Sequence, residues 1–267
     1  TKVLVELAER KNVDFIYNTR VTEILCKNNN VTGIQINGNT KKKYEIVISN
    51  MDVYFTYEKL LKNIKTPFRV KNVNSSSSAL IFYWGINDSF ENLELHNIFF
   101  SKDYEKEFNS IFNEMEFCDD PTIYLSITSK DNPSDAPAGC ENWYVMINTH
   151  YDSDHDWEDL AKRYKKIIIK KIERVLGKSI EKNIVSEEIL SPKTIFERTQ
   201  SYRGALYGPS SNETFSAFHR HPNFTNKLNN LYFCGGSVHP GGGIPMCLLS
   251  AKIVSGLISK KYNSKDL

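Results

Sequence analysis

The sequence lacks the features that mark several large classes of protein. No stretch approaches the roughly 20 consecutive apolar residues that a membrane-spanning helix needs, and no signal peptide opens the chain. Its 34 basic and 32 acidic residues nearly cancel, to a net charge of +2, so composition gives no electrostatic case for binding nucleic acid. The five cysteines are scattered and odd in number, which indicates reduced thiols in a cytosolic protein rather than a disulfide framework.

Two kinds of site-forming motif are missing as well. No G-x-G-x-x-G follows a strand, so the loop that holds the pyrophosphate of a dinucleotide is absent. No cysteines or histidines show the close paired spacing of zinc sites, and His219 and His221 would point to opposite faces of extended backbone. The sequence therefore predicts no metal site.

The first residues read as the inside of a helix. The chain begins at Thr1 rather than Met, and a helical pattern without an N-cap runs to Asn12. We therefore expect the sequence to be part of a longer protein. Its 267 residues are enough to bury a core and to form one large or two ordinary domains.

Alternating and aromatic-rich runs predict strands in two groups, separated by segments of helical periodicity. The first group is predicted at 13–17, 21–26, 31–36 and 44–48, with a hairpin turn at Asn37-Gly38. The second group is richer in aromatic residues and is predicted at 79–84, 98–100, 122–127, 143–147 and 184–190. Helices are predicted at 57–61, 103–115 and 157–177, the last ended by Gly177.

Near the end of the chain a short strand leads through a glycine-rich loop into a helix. The strand, Leu231 to Cys234, stops at two glycines, and Pro240 with three more glycines excludes regular structure up to Gly243. Pro245 suits the first turn of a helix whose apolar residues recur at helical spacing, so we predict a buried helix. The glycines let a ligand approach the backbone, and the helix start favours a negative or electron-rich group.

Three other interpretations of this segment stay open from the residues alone. Gly235-x-Ser237 after a strand is reminiscent of a hydrolase nucleophile elbow, but His239 stands where the second Gly is needed and Pro240 blocks an immediate helix. Cys234, His239 and Cys247 could bind a metal, although their spacing is not that of zinc sites. The segment could also be a tight turn whose only role is to pack the helix on the strand.

The motif Gly235-Gly-Ser-Val-His-Pro-Gly-Gly-Gly-Ile-Pro245, followed by Leu248-Leu-Ser-Ala-Lys-Ile-Val254, resembles the C-terminal flavin segment of bacterial carotenoid desaturases of the phytoene desaturase type. The similarity continues in order over nearly the whole chain, at 4–9, 18–24, 31–34, 48–52, 96–101, 120–121 and 136–139. Tyr83-Trp-Gly85 and the cysteine after Met246 resemble flavobacterial members of this family, which include desaturases of hydroxylated carotenoids.

This resemblance implies an α/β fold with a glutathione-reductase-like FAD-binding domain in two segments, 1–66 and 192–267. It implies an inserted mixed α+β substrate domain at 67–191, and it implies that the N-terminal GxGxxG βαβ unit is missing from this chain. The implied function is FAD-dependent desaturation of a carotenoid, such as phytoene or a hydroxylated carotenoid. A related polyene isomerase or saturase, or a flavin-free escort protein for prenylated proteins, is the alternative.

Carried over position by position, the resemblance implies a set of FAD-binding residues and no catalytic side chain, because the cofactor carries the chemistry. Those residues are Val21, Asn50, Phe233, Gly235, Gly236, Gly243, Ile244, Pro245 and Met246. Ser237 stands where many flavin relatives place an acid, so no cofactor contact is expected from its side chain. A lipophilic polyene substrate implies peripheral contact with the inner membrane from the cytoplasm, and the oligomeric state stays undetermined.

The missing pyrophosphate loop gives a first testable prediction. Expressed alone, this chain should bind no stoichiometric FAD, because a dinucleotide is held chiefly through its phosphates. The measurement is the flavin absorbance that co-elutes with the chain in gel filtration. One equivalent of flavin co-eluting with the chain would contradict the prediction.

Overall fold

The computed structural model describes residues 1–72, 74–151, 155–210 and 220–263. Its helices are α1 Lys2–Arg10, α2 Val53–Phe55, α3 Phe68–Lys71, α4 Tyr104–Asn109, α5 Trp157–Leu176, α6 Pro192–Thr199 and α7 Ile244–Asn263. Single π-helical turns, Thr56–Leu60 and Ser110–Glu114, continue α2 and α4. Its strands are β1 Val21–Lys27, β2 Asn30–Ile36, β3 Thr40–Lys43, β4 Val47–Ser49, β5 Ser78–Ile86, β6 His96–Phe99, β7 Ile123–Ser126, β8 Glu141–Thr149, β9 Ile184–Leu190 and β10 Leu231–Phe233.

Strands β1, β2 and β3 form a small antiparallel meander beside a separate parallel pair. The meander turns through Asn28, Asn29, Asn37 and Gly38, all of which have positive φ, a conformation that Asn and Gly tolerate best. The parallel pair joins β4 to β10, so the last strand of the chain returns to one of the first. One apolar cluster, which includes Ile24, Tyr57 and Phe233, lies beneath both sheets.

A five-stranded antiparallel sheet with the order β6-β7-β8-β5-β9 carries the larger apolar cluster. Strand β8 alternates strictly between buried and partly buried residues, as expected when one sheet face meets a helix. That helix is α5, which buries Ala161, Tyr164, Ile168 and Ile172 at a spacing of three and four residues. Asp156 caps its first turn, and Gly177 ends it in the left-handed conformation that the sequence predicted.

Four local expectations differ from the structure. Residues 13–17 form no strand and are exposed, since no strand pairs with them within the described residues. The strand predicted at 44–48 is replaced by β3, which ends at Lys43, and by β4, which begins at Val47. The sequence predicted a turn at Pro192, but the structure has a helix, because Ser191 caps it and Pro192 suits its first turn. Helix α7 is mostly exposed rather than buried, with only Ser250 and Val254 inside.

A buried carboxylate stabilises the turn between β5 and β6 against β8. Glu141 is 4% exposed, and its Oε1 accepts hydrogen bonds from Phe90 N at 3.0 Å, Ser89 Oγ at 3.2 Å and Lys130 Nζ at 2.7 Å. Its Oε2 accepts one from Trp143 Nε1 at 2.8 Å. All of these donors converge on one side chain, so its loss leaves several polar groups without a partner at once.

We therefore predict that Glu141→Leu lowers the free energy of unfolding by about 3–5 kcal/mol, as expected when one member of a buried ion pair is removed. Glu188→Leu is the matched control, because Glu188 pairs with Arg198 at the surface, where both side chains are 61% exposed. That change should cost at most about 1 kcal/mol. Chemical denaturation of both variants gives the two values, and equal losses would show that the Glu141 network contributes little.

Candidate cofactor site

The carboxyl ends of β4 and β10 lie side by side, and both segments of chain turn away there. Ser49 is opposite Phe233, and Cys234 N donates a hydrogen bond to Ser49 O at 3.0 Å. Asn50 and Gly235 therefore leave the sheet next to each other. A Cβ added to Gly235 would lie 2.6 Å from Asn50 Oδ1, and the φ of Gly235 is +112°, so both space and backbone conformation require glycine.

Ser237 connects the loop after β10 to the start of α2. Its Oγ is buried and accepts a hydrogen bond from Val53 N at 3.0 Å. Asp52 completes this junction, since its Oδ1 accepts from Tyr54 N at 2.9 Å and its Oδ2 from Tyr202 N at 3.2 Å. Burial raises the pKa of Asp52, although the two backbone donors partly offset it. No helix follows Ser237 directly, so the nucleophile elbow considered from the sequence is absent.

Asn223 holds together the strand, the loop and the following helix. It is 3% exposed, and its Nδ2 lies within hydrogen-bond distance of Phe233 O at 3.0 Å, His239 O at 2.8 Å and Ser250 Oγ at 2.9 Å. Ser250, on α7, also accepts a hydrogen bond from Gly235 N at 3.2 Å. These contacts fix the loop between β10 and α7 from its buried side. The sequence analysis did not identify Asn223, because hydrogen bonds between distant segments leave no local pattern.

Arg220 and Tyr207 close the other side of the loop. Arg220 donates from Nη2 to Pro209 O at 2.9 Å and from Nη1 to Gly236 O at 3.3 Å. A Cβ on Gly241 would lie 3.0 Å from the Arg220 guanidinium carbon, and one on Gly242 would lie 2.9 Å from Tyr207. The glycines at 241 and 242 are therefore required by close packing within this chain.

Beneath β10, an aromatic group forms the floor of the site. Tyr57 stacks on Phe233 with ring centroids 5.6 Å apart, and the His221 ring meets Phe233 edge-on at 4.8 Å. His221 Nδ1 lies 2.7 Å from Pro222 O, which can only accept, so Nδ1 carries the proton. Its Nε2 then accepts the Tyr57 hydroxyl at 3.0 Å. Burial lowers the pKa of His221, which keeps the imidazole neutral near pH 7.

The far end of the loop is open. Gly243 has a φ of +96°, and a Cβ added there would meet nothing within 4 Å. Cys247 N donates to Gly243 O at 2.9 Å, which is the first hydrogen bond of α7, so the N–H groups of Ile244 and Met246 have no acceptor inside the helix. Ile244 is 78% exposed. The positive end of the helix dipole thus lies at a surface lined by backbone, which suits an anionic or electron-rich group.

The structure brings the expected site residues together, with one exception. Asn50, Phe233, Gly235 and Gly236 lie at the strand ends, and Gly243, Ile244, Pro245 and Met246 form the end of the loop and the first turn of α7. The two groups pack through the loop, since a Cβ on Gly236 would lie 3.3 Å from Gly242 Cα. Val21 stands apart on β1 and shares only the underlying apolar cluster with Phe233.

Other expectations about sites concern metals, membranes and thiols. No group of three or more His, Cys, Asp or Glu side chains within the described ranges could hold a metal ion. Across the same residues, no helix is long and apolar enough to cross a membrane. The five cysteines form no disulfide with one another in this structure. His219 lies outside the described residues, so its position relative to His221 is not compared.

The strand end, the glycine-rich loop and the open helix start, held by buried polar side chains, form an arrangement that suits a nucleotide cofactor. The family model described as flavin containing amine oxidoreductase matches residues 2–259, and the chain belongs to this family. Its mixed α/β fold agrees with that expected from the sequence. Membership supports a flavin cofactor.

Two known proteins indicate which kind of flavin enzyme the chain is similar to. A 1-hydroxycarotenoid 3,4-desaturase of Flavobacterium sp. (strain P99-3) is 52% identical over 255 residues, which are 96% of this chain and 52% of that protein. A 4,4'-diaponeurosporene oxygenase of Staphylococcus aureus (strain bovine RF122 / ET3-1) is 32% identical over 262 residues, 97% of this chain and 52% of that protein. The chain therefore spans about half the length of these curated relatives. The resemblance to carotenoid desaturases drawn from the sequence is confirmed.

A solved structure shares the fold. An oxidoreductase from Methanosarcina mazei superposes with a TM-score of 0.61 at 11% identity, covering 96% of this chain and 53% of the other. At this identity the similarity concerns the fold alone.

The contact between Gly235 and Asn50 gives a prediction for stability. Gly235→Ala should lower the free energy of unfolding by about 1–3 kcal/mol, because it combines a positive φ with a steric clash. Gly256→Ala is the matched control: Gly256 lies exposed in α7 and a Cβ there meets nothing within 4 Å, so it should stabilise by about 0.5–1 kcal/mol. Thermal or chemical unfolding measures both. If Gly235→Ala stabilises the protein as much as the control does, the close approach to Asn50 is not real.

Proposed function

We propose that the protein catalyses the FAD-dependent desaturation of a carotenoid, such as phytoene or a hydroxylated carotenoid. The observation that carries this proposal is the site from Gly235 to Met246, with its positive-φ glycines and open helix start. It occurs in a chain 52% identical, over 96% of its length, to a 1-hydroxycarotenoid 3,4-desaturase. A flavin-free escort protein would not need this arrangement of backbone around an open helix start.

The geometry of the loop fits FAD in two places. Asn50, Phe233, Gly235 and Gly236 would face the ribityl and pyrophosphate groups, where the strand ends leave only backbone and one amide side chain. Gly243 to Met246 would lie along the isoalloxazine, where the N–H groups of Ile244 and Met246 can stabilise negative charge on the ring. We propose Val21 as the contact to the adenine. Bound FAD would supply a two-electron acceptor for the hydride that leaves a C–H bond of the substrate.

We further propose that 1–66 and 192–267 form the FAD-binding domain and that 67–191 form the substrate domain. The pairing of β4 with β10 and the shared apolar cluster below them support the first assignment. The five-stranded sheet packs its own cluster against α5, which supports the second.

The open face of the five-stranded sheet offers a place for the substrate. A cavity of about 840 Å³ lies on it, with Tyr83, Tyr124 and Tyr144 among its lining residues. The Tyr144 ring centroid is 5.4 Å from that of Tyr83 and 6.1 Å from that of Tyr124, so the three rings form a continuous row across β5, β8 and β7. Such a row presents apolar rings to an extended polyene. The Tyr144 hydroxyl donates to Met146 Sδ and the Tyr124 hydroxyl pairs with His96 Nδ1, which leaves the Tyr83 hydroxyl to meet a polar terminus.

Tyr207 packs against Gly242 of the cofactor loop. Burial, with a smaller contribution from Tyr83, raises the pKa of Tyr144 to about 12, so its phenol stays protonated. We propose that the polyene runs along the row with one segment beside Gly242 and Gly243. The role of these side chains is then to orient the chain and exclude water.

A polyene of this kind dissolves in lipid, so we propose peripheral contact with the inner membrane on its cytoplasmic side. The oligomeric state is not part of this proposal.

Gly243 provides the test of the cofactor site. In the full-length natural protein, Gly243→Val should reduce bound flavin at least tenfold, because valine disfavours a φ of +96° and its side chain would occupy the space proposed for the ring. The ratio of flavin to protein absorbance measures this. Gly256→Val, on the exposed side of α7, is the control and should keep the flavin. Full flavin and turnover in Gly243→Val would mean that the loop is only a packing turn.

Ser237→Ala is not a neutral control for this test. No cofactor contact was expected from the Ser237 side chain, but its Oγ accepts a hydrogen bond from Val53 N. The variant should lose about 1 kcal/mol of stability.

Product analysis separates the reaction types, since a desaturase shifts carotenoid absorbance to longer wavelength by adding conjugated double bonds. Products of unchanged or lower unsaturation would favour an isomerase or a saturase and contradict the proposal.

A further inference from the structure

Helix α4 buries a carboxylate and turns its aromatic side outwards, the reverse of an ordinary surface helix. Glu107 is 1% exposed, and its two carboxylate oxygens accept hydrogen bonds from Thr122 N at 2.7 Å and Thr122 Oγ1 at 2.6 Å. Ser110 and Ile111, in the π turn that follows, are buried on the same side. These contacts fix the orientation of the helix, so the exposure of its aromatic side is built into the fold.

Four aromatic residues follow one another at every fourth position along the outward side, and we call them the aromatic ridge: Phe100, Tyr104, Phe108 and Phe112. Successive ring centroids are 6.3, 4.6 and 5.5 Å apart, so the rings form a continuous strip. Phe100 is 65% exposed and Tyr104 is 52% exposed. Residues 100–116 contain two lysines and five acidic residues, of which Glu107 is buried, so the ridge offers apolar contact and no electrostatic attraction to an anionic surface.

Helix α5 carries four cations with the same spacing, here called the cationic stripe: Lys162, Lys166, Lys170 and Arg174. All four are exposed. Lys162 pairs with Glu158 at 3.0 Å, whereas the other three form no ion pair with any residue that the structure describes. Like charges four residues apart on a helix repel each other, so the stripe does not serve helix stability.

The segment between α4 and β7 fastens the two helices together. Asp120 Oδ2 accepts from Lys102 N at 2.8 Å, directly before α4, and its Oδ1 accepts from Lys171 Nζ on α5 at 2.7 Å. Tyr164, also on α5, donates its hydroxyl to Cys118 O at 3.0 Å. The aromatic ridge and the cationic stripe therefore belong to adjoining, rigidly linked helices of one lobe.

We propose that the aromatic ridge and the cationic stripe together dock the protein on a lipid bilayer that contains anionic lipid. The proposal rests on the membrane contact proposed above and identifies the surface that makes it. Phe and Tyr rings are favoured at the boundary between head groups and acyl chains, and cations near an anionic bilayer are attracted to it. The exposed rings match this partner in polarity, and the three cations that form no ion pair within the described residues match it in charge.

The test is co-sedimentation of the full-length natural protein with vesicles of phosphatidylcholine, with and without phosphatidylglycerol. Tyr104→Ser/Phe108→Ser should weaken binding to both kinds of vesicle at least tenfold, since it removes two large apolar side chains from the interface. Lys166→Glu/Lys170→Glu should weaken binding at least tenfold on vesicles with phosphatidylglycerol and much less on those without it.

Matched variants elsewhere show whether the effect belongs to this surface. Val185→Ser removes an exposed apolar side chain from β9 in the same lobe, and Lys41→Glu/Lys42→Glu reverses two exposed cations on β3. Both should bind vesicles as the unaltered protein does. The proposal is overturned if the ridge and stripe variants bind like the unaltered protein, or if the control variants lose binding to the same extent.

A second copy of the chain is the competing occupant. If the Tyr104→Ser/Phe108→Ser variant changes from a dimer to a monomer in gel filtration while vesicle binding persists, the ridge is a subunit contact and the proposal is wrong. Flavin content and the thermal midpoint are measured on the same samples and should be unchanged. Because vesicle binding is read without turnover, failure of this proposal is distinguishable from failure of the proposed desaturase activity.

Discussion

Parallel pairing between β4 and β10 is the constraint on which the site depends. Three residue pairs join segments far apart in the sequence, so their association must offset the loss of chain entropy on closing a long loop. Three pairs of strand residues are too few to offset that loss of chain entropy. The apolar cluster beneath them, with Tyr57 and Phe233 stacked and fully buried, supplies the driving force. The rigidity of the cofactor loop therefore depends on the β4–β10 pair and on the apolar cluster beneath it.

Hydrogen bonds from buried polar side chains then hold the loop after β10 in one conformation. Asn223 bonds to the backbone of β10 and to the Ser250 side chain of α7, Ser237 caps α2, and Asp52 joins α2 to the turn at Tyr202. Each of these groups would destabilise the core if it lacked partners, so the hydrogen bonds specify one arrangement rather than merely adding stability. With the loop held from inside, Gly243 and the first turn of α7 can stay open towards a ligand.

Local signals in the sequence predicted those parts of the fold that local physics decides. The Asn37-Gly38 hairpin, the end of α5 at Gly177 and the start of α7 near Pro245 depend on backbone preferences of one or two residues. Residues 13–17 have a strand-like pattern but pair with no strand among the described residues. The predicted turn at Pro192 is a helix capped by Ser191, a local signal that the prediction did not use, whereas the contacts of Asn223 and Ser237 join segments that only the fold brings together.

Periodicity reveals that a helix has an apolar side, but it does not reveal where that side points. Helices α4 and α7 both have apolar residues at helical spacing, and a sequence argument places such residues in a core. In α4, the hydrogen bonds of Glu107 to Thr122 require the polar side to face inwards, so the aromatic residues face out. In α7, Ser250 is the residue drawn inwards by Asn223 and Gly235 N, which leaves Ile244 and Leu248 exposed. In both helices the residue that points inwards is polar and hydrogen-bonded, so the spacing of apolar residues alone does not give the orientation of the helix.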